Sequence, residues 1–248
     1  DPRQLQQPQR GAHPEGADVS ALDHLLGEHA TIAPGQGLFL AETWRLPPKL
    51  CAFTSELFYE DRLVSRRECQ IQALTGPTPF AGAGLFLVPV PHAGNTSAAP
   101  EEVAAAERVV AALLVPGVAW TDRQGASHPL TPADLLLIAP YNAQVAALTR
   151  AFRAAGRELA VGTVDRFQGQ ERPVVLYSLT SSSALDAPRG LAFLLDLHRL
   201  NVATSRAQCV VIVLASPALF EAECRTPAEM RLANGACRLR ELGVRVEV

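Results

Sequence analysis

The amino-acid sequence predicts a layered α/β domain built on a mainly parallel sheet. Short, nearly continuous apolar runs recur along the chain, each bounded by turn residues, as strands covered on both faces require. Helical patterns lie between these runs, and such alternation favours an α/β architecture. At 248 residues and 48% hydrophobic content, the chain is long enough to bury one sizeable core.

The strand candidates, in order, are Leu38–Ala41, Leu85–Val90, Leu135–Ala139, Ala160–Val164, Val174–Leu179 and Val210–Ala215. Glu101–Leu114 reads as a helix, with Pro100 suited to a first turn and Val103, Val110 and Leu114 at helical spacing. Asn142–Ala155 reads as another, with Asn142 as its cap and Gly156 as its stop. Pro217–Cys224 and Pro227–Leu242 carry proline near a helical start. Gly76–Gly84, Pro91–Pro100 and Gly117–Pro132 are rich in Gly, Pro, Ser and Thr and read as surface connections. There is no internal repeat.

The formal net charge is −3 and the sequence pI about 6.1, so any grip on nucleic acid must be local. Cys51, Cys69, Cys209, Cys224 and Cys237 form no CxxC pair, which supports neither a zinc site nor a disulfide framework and points to a reducing, cytoplasmic setting. No apolar run is long enough to span a membrane and no leader pattern is visible. The opening Asp1-Pro2-Arg3-Gln4-Leu5, with no Met, reads as the start of a piece of a longer polypeptide.

Chemistry concentrates in a few segments. Val161–Ser178 ends a strand at Thr163-Val164, crowds polar groups around Gly169, and resumes an apolar strand at Val174. Ligands of open parallel sheets bind at strand ends, so this turn is a candidate site, although the pattern alone equally describes a solvated loop. Arg199–Ala207 leads into the strand at Val210. Taken alone, Arg206 is a helix C-terminal arginine satisfying terminal carbonyls. Glu42–Pro48 carries Trp44-Arg45 ahead of an aromatic run from Phe53 to Tyr59, and alone Arg45 is a salt-bridged arginine at a helix start. Leu137–Gln144 joins a strand to a helix whose N-terminus could meet a phosphate. There Tyr141 offers either a stacking face or a packed core ring.

The runs TVDRFQGQE and RLNVATSRA resemble motifs V and VI of superfamily 1 helicases of the nonsense-mediated-decay and replication nuclease-helicase type. The Trp44-Arg45 segment resembles motif IV, with tryptophan where tyrosine is common. Asp1–Leu5 resembles motif III without its leading glycine, and with Gln6 where proline is usual. PYNAQ resembles the element between motifs IV and V. The resemblance runs from Asp1 to about Ser216 with its motifs in order. It implies a three-layer α/β/α RecA-like domain over residues 32–248, with 1–31 the tail of a preceding motor domain.

By that resemblance Arg45 and Arg206 are arginine fingers toward the γ-phosphate of ATP, a task that suits a permanently charged, forked guanidinium. Gln4 senses the γ-phosphate; Glu171 contacts the ribose side of the nucleotide, with Gln168 and Gly169 shaping its loop. Tyr141, Asn142 and Thr163 touch a single strand, DNA favoured over RNA. Some relatives carry a fused nuclease domain. The sequence contains no GxxxxGK[ST] and no apolar strand ending in Asp-Glu, so ATP and Mg²⁺ would be held chiefly by the preceding RecA-like lobe. A catalytically inactive binding module is the competing expectation. A dinucleotide-binding enzyme lacks its GxGxxG.

Overall fold

The computed structural model describes residues 1, 3, 4, 20–27 and 29–248. Pro2, Leu5 and Gln6, and the polar stretch that follows them, lie outside the described residues.

In chain order the elements are α1 (Ala21–Leu26), β1 (Glu42–Thr43), α2 (Pro48–Phe58), β2 (Val64–Ser65), β3 (Ala73–Thr75), β4 (Gly84–Pro89), α3 (Pro100–Leu113), β5 (Ala119–Thr121), β6 (Ser127–Pro129), β7 (Leu135–Ile138), α4 (Asn142–Ala154), β8 (Ala160–Gly162), β9 (Arg172–Ser178), α5 (Leu191–Leu194), α6 (Leu197–Thr204), β10 (Ala207–Ala215), α7 (Pro227–Leu242) and β11 (Val244–Arg245).

Six strands form one sheet in the order β11-β4-β10-β9-β7-β8, and every pairing in it is parallel. Side chains alternate between its two faces. On β10, Val211 and Val213 join the core beneath α2, α5, α6 and α7, while Val210, Ile212 and Leu214 join the core beneath α3 and α4. Leu136 and Ile138 against Leu135 and Leu137 on β7 divide in the same way. Helices therefore cover both faces, which is why these strands are apolar throughout. Each such buried aliphatic side chain contributes about 1.5–3 kcal/mol.

Five of the six expected strands are present. The sixth, Leu38–Ala41, is not a strand: it runs as extended loop with Leu38 and Leu40 largely exposed, and pairing starts only at its end, where the Ala41 carbonyl accepts the Val64 N–H at 2.7 Å and β1 follows beside β2. The connection Gly117–Pro132 holds unexpected structure, β5 and β6. β3, β5 and β6 make a small antiparallel sheet through Leu74↔Trp120 and Trp120↔His128. The segment after Pro217 is a short 3-10 turn to Glu221 rather than a helix to Cys224. Asn142 is the first residue of α4 and not its cap; Tyr141 holds that position with extended backbone and makes no side-chain capping bond.

Candidate nucleotide-facing site

The site is assembled at the N-terminal edge of the sheet, where Arg172 and Ala207 open β9 and β10 opposite one another. Glu171 immediately precedes β9. Arg206 lies between the end of α6 and β10, and its carbonyl accepts the Arg172 N–H at 3.0 Å. Arg45 arrives from the turn before α2, where Pro47 and Pro48 fix the helix start.

These residues converge. The Arg45 Nε donates to Glu171 Oε2 at 2.5 Å and its Nη1 to the Ser205 carbonyl at 3.0 Å. Gln208 donates to the other Glu171 oxygen at 3.0 Å. Gln72 braces the arrangement from below, donating to the carbonyls of Arg45 at 2.6 Å and Gln208 at 3.1 Å. Among the described residues the Arg45 Nη2 makes no hydrogen bond.

Arg206 is 2% exposed, yet not within the apolar core. Its Nε donates to the Val202 carbonyl at 3.0 Å, the last-turn contact expected of a helix C-terminal arginine. Its terminal nitrogens reach Gln170 O at 3.4 Å, Ser205 Oγ at 3.2 Å and Gln4 Oε1 at 3.2 Å. All four partners are neutral, and among the described residues Arg206 forms no ion pair. Burial, then the neighbouring Arg45 charge, pull its pKa below the ordinary arginine value to about 10, against the opposing pull of Glu171 and Tyr59. A cation held with neutral acceptors only is a standing positive potential beside a cleft.

The cleft is a cavity of about 580 Å³ bordered by Gln4, Trp44, Arg45, Tyr59, Glu171 and Ser205. The Gln4 end is fastened by the Tyr59 hydroxyl on Asp1 at 2.5 Å and by Asn201 Nδ2 on the Arg3 carbonyl at 2.8 Å. Trp44 is half exposed, with Arg66 stacked 3.7 Å from its ring centre. Arg45 and Arg123 line this space together with Asp1, Glu42 and Glu171, and Arg206 lies behind the wall, bonded to the lining residues Gln4 and Ser205. Among the described residues no cluster of three or more His, Cys, Asp or Glu could hold a metal ion.

The segment around Gly169 spans the sheet. Thr163 stands at the C-terminal end of β8, half buried, whereas Glu171, eight positions on, stands at the N-terminal end of β9. The expectation of one site at a strand C-terminus is therefore corrected: Glu171 belongs with Arg45, Arg206 and Gln4 at one edge, and Thr163 lies with Tyr141 and Asn142 at the other. Gln168 and Gly169 are exposed on the crossing between them, where Gly169 takes φ +85°, a backbone that favours glycine. Asn142 is exposed. Tyr141 offers no open stacking face, being 8% exposed with its ring on Phe193 at 5.5 Å. That is the packed-ring alternative.

One constellation went unread in the sequence. At the C-terminal edge the fully buried Glu102 carboxylate accepts Ser178 Oγ at 2.5 Å and the Thr180 N–H at 2.9 Å, and meets His92 Nε2 at 3.1 Å. His92 Nδ1 continues to Ser182 Oγ at 2.7 Å, and Gln144 ties Ser178 to the Ala99 backbone. Thr180 holds φ +72° within this net. Residues 10 to 90 positions apart carry it, so no local pattern could have signalled it.

The model of a family described as an AAA domain matches residues 17–218. A regulator of nonsense transcripts 1 homolog from Arabidopsis thaliana is 28% identical over 190 residues, covering 70% of this chain and 14% of that protein. An uncharacterised ATP-dependent helicase of Caenorhabditis elegans is 29% identical over 206 residues, covering 81% and 13%. The DNA polymerase alpha-associated DNA helicase A of Schizosaccharomyces pombe is 36% identical over 85 residues, covering 33% and 12%. The chain spans less than a quarter of the length of the relatives it matches.

Proposed function

This chain belongs to the AAA-domain family of superfamily 1 helicases, and on that footing we propose that it is the second, C-terminal motor lobe of an ATP-driven nucleic-acid helicase. The meeting of Arg45, Glu171 and Gln4 at one cleft, with a buried, carboxylate-free Arg206 bonded to Gln4 directly behind its wall, carries the reading.

In this account residues 1–31 are the tail of a preceding lobe, and 32–248 the lobe itself. The preceding lobe supplies the P-loop and the Mg²⁺ ligands. ATP bound there supplies the phosphoanhydride whose cleavage drives the cycle. This chain's part is electrostatic. Closure brings the γ-phosphate oxygens to Arg206, displacing the Gln4 oxygen that now accepts from its Nη2, while the free Nη2 of Arg45 serves a second oxygen. Both guanidiniums are charged at neutral pH and already oriented, so they meet developing negative charge with little reorganisation. Glu171 holds Arg45 in place and lies toward the ribose, and Gln4 passes the occupancy of the cleft to the segment that joins the lobes. Asn142 and Thr163, at the opposite edge, hold the strand; closure and reopening then shift one grip relative to the other. The residues that serve this cycle sit inside cells in a reduced, cytoplasmic setting.

The relatives' names include both a DNA helicase and regulators of transcripts, so the strand is chosen by experiment. The test is ATP turnover by the full-length protein with and without single-stranded DNA and RNA. Turnover stimulated by one of them is expected, DNA before RNA. Absence of turnover with either strand would replace the motor with a binding module.

A further inference from the structure

A second cavity, of about 380 Å³, opens at the outer edge of the sheet beside β8 and the end of α4, away from the nucleotide-facing cleft. Arg153, Arg157 and Arg166 line it, with Thr149, Val161 and Glu158. The backbone aims the first two. Beyond α4, Gly156 at φ +68° turns the chain, bonding its N–H to the Arg153 carbonyl at 3.0 Å, and the Arg157 N–H closes on the Phe152 carbonyl at 2.8 Å. Arg166 comes from the opposite wall, anchored by Nη1 on the Val161 carbonyl at 3.0 Å.

Cations at a helix C-terminus are favoured by its dipole, which accounts for Arg153 and Arg157 singly. It does not account for Arg166, which comes from another element into the same hollow. Among the described residues none of the three forms an ion pair, and Glu158 is the single carboxylate in the lining, so three cations less one anion leave +2 on a chain whose net charge is −3. Positive charge kept in a concave site on an acidic chain is an anion site. Its neighbour identifies the anion. The Arg166 N–H closes a turn on the Thr163 carbonyl at 3.1 Å, so the wall that carries Arg166 adjoins the residue assigned to the strand, while Arg153 and Arg157 extend the hollow along the outer edge of the sheet toward the far end of α4.

We propose that Arg153, Arg157 and Arg166 bind backbone phosphates of the single strand beyond Thr163. This extends the motor reading and rests on it. Phosphodiester oxygens are held here by positive charge, which releases bound counterions, and contacts to phosphate carry no base preference.

The test is anisotropy of a labelled oligothymidylate on the full-length protein across a salt series. Removing two phosphate contacts with R153Q/R157Q is expected to make the log-affinity against log-salt slope shallower by about 1.4, at about 0.7 per contact, and to weaken binding roughly 25-fold at 0.1 M salt. R153K/R157K, which keeps the charge, is expected within about threefold of the parent. An unchanged slope in the glutamine pair, or a lysine pair as weak as the glutamine pair, overturns the proposal. So does a glutamine pair that keeps the oligonucleotide but loses inorganic phosphate or a polyglutamate peptide, which would reassign the cavity. Strand-stimulated ATP turnover with an unaltered glutamine-pair slope overturns this site alone; a parent protein that binds no strand overturns the motor reading with it.

Discussion

Replacing Arg206 with Met should change stability little, and the reason separates a functional arginine from a structural one. Met keeps the apolar stem packed while deleting the charge. Four hydrogen bonds to neutral acceptors are lost, at about 1 kcal/mol each, or about 4 kcal/mol. Against that, a pKa held down at about 10, below the ordinary arginine value, reflects about 3 kcal/mol of strain in the charged form, at 1.36 kcal/mol per tenfold. The folded pKa lies below the unfolded one, so this penalty is fully present below about pH 10 and is relieved only as pH rises above about 10 toward the ordinary arginine range. At neutral pH the net loss is about 1 kcal/mol. For a domain of this size that lowers Tm by about 2–4 °C. A buried arginine answering a carboxylate would instead lose about 3–5 kcal/mol. Thermal denaturation at pH 7.5 decides: a fall of about 10 °C or more would refute the unpaired-cation argument.

Further expectations follow from the same contacts. Glu102→Ala strands the donors of Ser178, Thr180 and His92 in a site without water access, and should cost about 3–5 kcal/mol; a Tm within 2 °C of the parent would contradict the network's role. Tyr141→Phe should leave oligonucleotide affinity within twofold, because the ring is covered by Phe193, whereas Thr163→Ala should weaken it several-fold; the reverse order by anisotropy would restore Tyr141 as the stacking residue. Burial pushes the thiol pKa of Cys51 to about 11 and of Cys209 to about 12, and Cys69 is raised and buried too, so iodoacetamide at pH 8 should label only Cys224 and Cys237 in the native protein. Mass spectrometry showing rapid labelling of Cys209 would count against the packing described.

The sheet was legible because its strands are apolar on both faces, and that doubled burial leaves an unbroken run such as Val210–Ala215. The same signal misled at Leu38–Ala41, where the apolar side chains of Leu38 and Leu40 face solvent and pairing begins only at Ala41, next to β2. β3, β5 and β6 are three residues each, too short to develop a period, and sit among Gly, Pro and Ser that read as loop. Periodicity alone left Arg45 and Arg206 as ordinary helix-end arginines, and Arg206 does bond a last-turn carbonyl. Their meeting around Glu171, across 126 and 35 positions, came from the resemblance and then from the coordinates. Gln72 and Gln208, which brace the pair, carry no pattern that separates them from surface glutamines.

Single-turnover ATP hydrolysis by full-length Arg206→Ala shows whether Arg206 meets the γ-phosphate when the lobes close. An arginine finger contributes about 10³–10⁵ in rate. A loss of at least about 10³ in the hydrolysis step is expected, with nucleotide affinity within about threefold of the parent. Hydrolysis at the parent rate, or a loss traced wholly to weaker nucleotide binding, would contradict it.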